Sequence, residues 1–269
     1  MKSEQVVAYL AEQGITAGYV EVTPSFFDPK NQLDGTSFDA IPYAKQTDTE
    51  QDLADTYAES MSLASMFAVT QLCVKPSMRV LDVCAAPGMK GLYLNKLCSG
   101  IDYYVNDLSG DRLARLSRLF TKHDTKPLGI TKYDARFIDR AYEPKSFDAI
   151  LLDAPCSGEG VILGGNTKLL YTWSTAKVKR LQQLQVKILK KSWQLLKPGG
   201  RLVYATCTLN KNENERAIKK ALGITVNISE SSLNTNNIHM LENGKALRIL
   251  PSINSIGFFV AVLEKGIDD

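Results

Sequence analysis

Two short apolar runs bracket one long amphipathic segment in the second half of this chain. The runs are Phe147-Asp148-Ala149-Ile150-Leu151-Leu152 and Arg201-Leu202-Val203-Tyr204. Between them, residues 174–196 carry Val178, Leu181, Leu184, Ile188, Leu189, Trp193 and Leu196 on one side. That spacing predicts a helix with an apolar stripe packed on a sheet. Pro198-Gly199-Gly200 stops the helix and turns the chain into the next strand. Strand, helix, strand in this order implies parallel neighbours joined by a right-handed crossover.

The alternation continues along the chain. Strands are expected at 79–84, 102–106, 128–132, 147–152, 200–206 and 256–263, with a further short one at 246–250. Helices are expected at 89–98, 110–122, 174–196 and 212–221. This predicts an α/β domain over 51–269, with a mostly parallel seven-stranded sheet and helices on both faces. Residues 1–50 read as a short, loop-rich extension. Within it, Ser3 to Gly14 is expected to form a short helix with Val6, Val7, Tyr9 and Leu10 inward. A helical pattern over 53–74 uses Leu63, Met66, Phe67, Val69 and Leu72 and ends at Pro76. The polar stretch 223–245 reads as an excursion before the last strand.

Charge is close to balanced, with 32 Lys and Arg against 29 Asp and Glu, but unevenly spread. Asp48, Glu50, Asp52, Asp55 and Glu59 cluster near the start of the domain. From Gly160 to Asn212 there is no acid, while ten basic residues occur, among them Lys187, Lys190 and Lys191. A solvated helix face accounts for part of this; a polyanionic partner, nucleic acid, accounts for the rest. No apolar run approaches the ~20 residues of a membrane span. Met1-Lys2-Ser3-Glu4-Gln5 lacks the pattern of a signal sequence. A cytoplasmic protein with no membrane partner is expected. Five widely spread cysteines show neither zinc-site spacing nor a disulfide framework, so no metal is expected. Cys73 and Cys98 read as small core residues.

Two cysteines differ. Asp153-Ala154-Pro155-Cys156-Ser157-Gly158 and Ala205-Thr206-Cys207-Thr208 each follow a strand end. Strand ends are where α/β proteins place their chemistry. Two thiols on one sheet edge suggest covalent sulfur catalysis, and on the residues alone either one could be the nucleophile. A third strand, Arg79-Val80-Leu81-Asp82-Val83, runs into the turn Cys84-Ala85-Ala86-Pro87-Gly88-Met89-Lys90. The helix that follows offers free amides to a ligand anion. Asp107 ends the next strand about twenty residues beyond the glycine turn, where an acid can accept ribose hydroxyls. Asp134 ends the third strand, placed for an adenine amino group. The turn is neither a dinucleotide fingerprint nor a phosphate loop. One adenosine with an amino acid tail fits better, and points to S-adenosyl-L-methionine.

These motifs, in this order over roughly residues 50–264, resemble the NOL1/NOP2/Sun (RsmB/RsmF-like) family of RNA 5-methylcytosine methyltransferases. The resemblance rests on the Cys84–Lys90 turn, Asp107 with Arg112, Asp134, the Asp153–Gly158 and Tyr204–Thr208 blocks, and Gly257-Phe258-Phe259. It implies a Rossmann-like class I S-adenosylmethionine-dependent methyltransferase. Cys84, Ala85, Ala86, Pro87, Gly88, Met89 and Lys90 would cradle the methionine part of the cofactor. Asp107 would hold the ribose, Asp134 the adenine edge, and Asp153 the substrate base or the cofactor amino group. Cys207 would be the nucleophile and Cys156 would help resolve the adduct.

The blocks 148–161 and 203–215 are most similar to bacterial enzymes acting on 16S ribosomal RNA. That implies an RNA substrate, ribosomal before transfer RNA, for an enzyme expected to act as a monomer. The target base must leave any stack to meet the thiol. Amides of Thr208-Leu209-Asn210 are expected to open a helix that stabilises the thiolate. One departure stands out: where the family has Gly-Gly-Lys-Thr, this chain has Gly88-Met89-Lys90-Gly91. Two rival readings are a methyltransferase for protein or small molecules and an inactive RNA-binding relative. His123 and His239 read as surface residues; Trp173 and Tyr171 fit an RNA contact or the core equally.

Overall fold

A computed structural model describes residues 2–15, 61–165, 167–231, 240–251 and 256–268. The expected loops of 22–50, the acids at 48–59 and His239 lie outside the described residues.

The N-terminal helix α1 spans Lys2–Ala11 and α2 spans Leu63–Thr70, capped by the Ser62 hydroxyl. The repeating units follow: β1 (Arg79–Asp82), α3 (Met89–Leu97), β2 (Asp102–Asn106), α4 (Gly110–Lys122) and β3 (Gly129–Thr131). A 3-10 segment, Ala135–Arg140, leads to β4 (Phe147–Asp153), then the short helix α5 (Glu159–Leu163). A second 3-10 turn, Thr167–Thr172, precedes α6 (Thr175–Leu195) and β5 (Leu196–Thr206). The chain ends with α7 (Glu215–Leu222), β6 (Asn227–Ser231), β7 (Lys245–Ile249) and β8 (Phe258–Glu264).

The sheet order is β3-β2-β1-β4-β5-β8-β7-β6. From β3 to β5 the pairs are parallel, as the alternation requires. One expectation is corrected: among the described residues the sheet has eight strands rather than seven. It is mostly parallel, as expected, and mixed only through β8, which runs antiparallel to both β5 and β7. The unforeseen strand is β6, Asn-Ile-Ser-Glu-Ser, inside the stretch read as an excursion. As an edge strand it pairs on one side only, and its mainly polar composition suits that place. The direction of β8 was invisible because it is set by the neighbours the strand pairs with, β5 and β7, and not by its own residues.

Period-two alternation sends neighbouring side chains to opposite faces. Val80, Val105, Leu151 and Val203 pack under α2, α3 and α4, against Phe67, Leu94, Leu116 and Phe120. Leu81, Ile150, Leu152 and Leu202 pack under α6 and α7, against Ile188, Leu189 and Ile218. Helix α1 joins a third cluster, where Val6 and Leu10 meet Leu163 and Leu209. Its Tyr9 and Gln13 also bond the loop beyond β5, at Asn212 (2.7 Å) and the Lys211 amide (2.8 Å). Among the described residues no helix is long and apolar enough to cross a membrane.

Candidate active site

The strand order reverses its direction of growth between β1 and β4, and ligands of such sheets bind beyond the carboxyl edge at that point. The segments after β1, β2, β3, β4 and β5 all reach this edge.

Beyond β1 and β2, Asp107 is nearly fully buried, at 3% exposure. It accepts from the Ala86 amide (3.3 Å) and the Ser109 amide (3.0 Å), and Arg112 lies 3.3 Å away. Arg112 also donates to the Ala86 carbonyl. Asp107 and Arg112 thus clamp the Cys84–Lys90 turn. The turn carries a cis Ala86-Pro87 bond, and Gly88, at φ +115°, caps α3. A side chain on Gly88 would stand 3.1 Å from both Leu116 and Phe120, so glycine suits the position twice over. Ala85, Ala86 and Met89 are buried, Cys84 is half-buried, and Pro87 is exposed. Burial, then the charges of Asp82, Asp153 and Asp107, push the Cys84 thiol well up, which keeps it neutral. Asp134, expected at the end of the third strand, instead lies three residues beyond β3 as the cap of the 3-10 segment, where Arg136 engages it at 2.5 Å and through its amide at 2.9 Å.

Beyond β4 and β5, Asp153 of β4 pairs in register with Ala205 of β5, and the Ala154 amide donates to the Ala205 carbonyl at 2.9 Å. That pairing carries both cysteines past the sheet edge together. Cys156 Sγ and Cys207 Sγ stand 2.9 Å apart, as free thiols. The contact with Cys207, followed by burial, pushes the Cys156 thiol well up and favours its protonated form. Lys90 Nζ lies 2.6 Å from Asp153. Burial disfavours the Lys90 charge, but Asp153 more than offsets this, and its electrostatic reach extends to Asp82 and Cys207. A cation here is the kind of surrounding in which sulfur attack is favoured. The helix expected over Thr208–Asn210 is absent; α7 starts at Glu215.

Asp82, at the end of β1, is buried beside this ion pair, and burial pushes its carboxyl up to about 7. One of its oxygens accepts from Tyr103 at 3.1 Å; the other, Oδ1, has no partner. Tyr103 also explains the Gly91 departure. A Cβ on Gly91 would collide with the Tyr103 hydroxyl, so the tyrosine fills the space that a side chain at position 91 would need.

Beneath the thiols lies a polar network that sequence reading missed. Glu159 and Glu213 are both fully buried. Ser157 Oγ contacts Glu159 (2.6 Å) and Glu213, while Asn210 Nδ2 reaches Glu159 (2.9 Å) and Glu213 (2.8 Å). Gln185 of α6 donates to the Pro155 carbonyl and to Glu213, each at 2.8 Å. Trp173 donates to Glu159 at 3.0 Å and sits edge-on to Tyr9, so it belongs to the core, whereas Tyr171 is 80% exposed. Cys73, expected in the core, is exposed and touched by Arg201. A buried Asn106 staples β1, β2 and β3, bonding the Val83 and Tyr133 carbonyls, the Tyr133 amide and Thr131.

A Rossmann-type sheet with its reactive groups along one carboxyl edge defines a class I methyltransferase fold, and similar solved structures agree. The crystal structure of PH0851 is 28% identical, with a TM-score of 0.69, covering 97% of this chain and 56% of that one. NSun6 from Pyrococcus horikoshii, solved with SFG, is 27% identical with a TM-score of 0.64, covering 78% of this chain and 53% of that one. Residues 69–264 match the family described as 16S rRNA methyltransferase RsmB/F, and the chain belongs to it. Ribosomal RNA small subunit methyltransferase F of Aeromonas salmonicida is 33% identical over 94% of this chain. Ribosomal RNA small subunit methyltransferase B of Xanthomonas campestris pv. campestris is 32% identical over 97% of it. The chain spans 57% of the length of each.

Proposed function

We propose that this ribosomal RNA methyltransferase acts on carbon-5 of a cytosine, through a covalent adduct on Cys207, with S-adenosyl-L-methionine as methyl donor. The observation that carries the reading is the thiol pair beside the Lys90–Asp153 ion pair, at the edge that also holds the Asp107–Arg112 clamp.

The residues suit the donor. Gly88 leaves the turn open to close approach, the first amides of α3 have no acceptor within the helix, and Asp82 Oδ1 is a buried acceptor still unpaired. Asp107 retains acceptor capacity for ribose hydroxyls, because a carboxylate has about four lone-pair sites. Cys84 to Lys90 would hold the methionine part and Asp134 the adenine edge. When bound, the donor supplies an electrophilic methyl group.

Carbon-5 of cytosine is a poor nucleophile. Cys207 sulfur adds to carbon-6, and the ring becomes an enamine whose carbon-5 can attack; splitting the reaction this way is the purpose of covalent catalysis. Asp153 accepts from the amino group of the base when ionised, and donates to its ring nitrogen when it carries a proton. Water takes the carbon-5 proton, the carbon-6 to sulfur bond breaks with its electron pair leaving on Cys207 as a thiolate, and Cys156, 2.9 Å away, donates its S–H to that sulfur.

The test is methyl transfer from labelled S-adenosylmethionine to small-subunit ribosomal RNA, followed by bisulfite sequencing. The expected result is one newly protected cytosine, lost in Asp107→Ala. Label incorporated with no protected cytosine would contradict carbon-5 as the target.

A further inference from the structure

The structure divides the acid-free stretch 160–212 into two parts. Lys191, Lys197 and Arg201 are neutralised by acids from elsewhere: Asp139 (2.7 Å), Asp148 (2.7 Å) and Glu264. Lys187 and Lys190 are not. They lie exposed on one face of α6, three residues apart, and line a groove of about 380 Å³ with Arg136 and Arg140. Among the described residues Asp139, already paired with Lys191, is the only acid lining it, and Arg136 is paired with Asp134. No acid among the described residues bridges Arg140, Lys187 or Lys190. The helix dipole does not account for these lysines, since no basic residue lies in the last turn of α6. Nor does it account for the two arginines, which come from a separate 3-10 segment and face the same groove.

An aromatic ring lies in this positive field. Phe137 breaks the 3-10 geometry (φ −129°, ψ 21°) and is 41% exposed. The guanidinium of Arg140 lies 4.8 Å from its ring centre and that of Arg136 lies 5.7 Å away. The exposed part of this ring, flanked by the guanidinium of Arg140 and by that of Arg136, which is paired with Asp134, is a platform on which an unpaired base can stack, while lysines alongside meet phosphates. The segment is capped by Asp134, three residues beyond the carboxyl end of β3, so a strand lying in the groove continues toward the edge that carries the site.

We propose that the groove between the Ala135–Arg140 segment and α6 is a docking site for single-stranded RNA, separate from the catalytic thiols. Phe137 stacks a base, and Arg140, Lys187 and Lys190 contact the backbone. This inference rests on the RNA reading above, and the experiment separates the two.

Binding of a fluorescein-labelled single-stranded RNA, with one cytosine, is followed by anisotropy across a salt series. Lys187→Glu/Lys190→Glu is compared with Lys219→Glu/Lys220→Glu on α7, which changes net charge equally on another exposed surface. The groove variant is expected to bind about tenfold more weakly with a salt slope reduced by about two, and the α7 variant within about twofold of wild type. Phe137→Ala should weaken binding about fivefold with the slope unchanged. Thermal melts confirm that each variant folds. Equal losses in both charge variants, or no loss in either, would overturn the groove and leave the methyltransferase reading standing. Wild-type protein that binds no RNA would overturn both.

Discussion

Gly160 sits where three segments cross. Its amide donates to the Cys207 carbonyl (3.0 Å), and its own carbonyl accepts from the Gly257 amide (3.1 Å). A Cβ at 160 would collide with the Gly257 carbonyl oxygen, and one at 257 would come within 2.7 Å of Gly160 Cα. The opposing atoms are backbone, which cannot swing aside. Gly160→Ala should therefore cost about 1–3 kcal/mol or more, as overpacking does, and loosen the Cys207 loop. A thermal melt should show a drop of several degrees, with methyl transfer falling at the same time. A melting temperature within about 1 °C of wild type would contradict this account, since about 1 kcal/mol already moves a domain of this size by ~2–4 °C. The same reasoning links Gly91 to Tyr103: a glycine leaves the gap, and a hydroxyl from the neighbouring strand fills it and bonds Asp82.

At the scale of elements, the Glu159–Glu213 pair joins the loop after β4 to the loop after β5. Ser157 has one hydroxyl proton but faces an oxygen of each carboxyl, so the arrangement is satisfied when the pair itself holds a proton. Burial, then the charge of Glu159, pushes Glu213 up to about 7, and burial raises Glu159 as well. The sign follows from linkage. A carboxyl that binds its proton more tightly when folded contributes stability below its unfolded value, and that stability is lost as pH rises through about 7. Glu159→Gln keeps an acceptor for Trp173 and Asn210 and offers Ser157 a donor. It should melt close to wild type at acidic pH and above it at pH of about 8. Asp82, also raised to about 7 by burial, adds a slope of the same sign to both proteins, so the difference between them is the readout. Equal losses of melting temperature with pH in the two would refute the shared proton. These elements also show why the network was illegible. Glu159, Gln185, Asn210 and Glu213 look like surface residues in sequence, because partners on other elements decide their burial. Strand β6 was hidden for the opposite reason, since one apolar residue in five carries too little pattern.

For the whole molecule, the parallel half of the sheet was readable because each of its strands ends in a chemically distinctive turn. Those turns place Cys207, Cys156, Asp153, Asp107 and the Cys84–Lys90 loop along one edge. Lys90 was expected to cradle cofactor; its ion pair with Asp153 ties the cofactor turn directly to the cysteine side, a long-range contact that no local pattern encodes. The account as a whole depends on which sulfur attacks. Its most direct test is to trap the enzyme on RNA containing 5-azacytidine and map the modified peptide by mass spectrometry. The account predicts the nucleotide on Cys207, with trapping abolished in Cys207→Ala and retained in Cys156→Ala. A nucleotide found on Cys156, with trapping that survives Cys207→Ala, would contradict it.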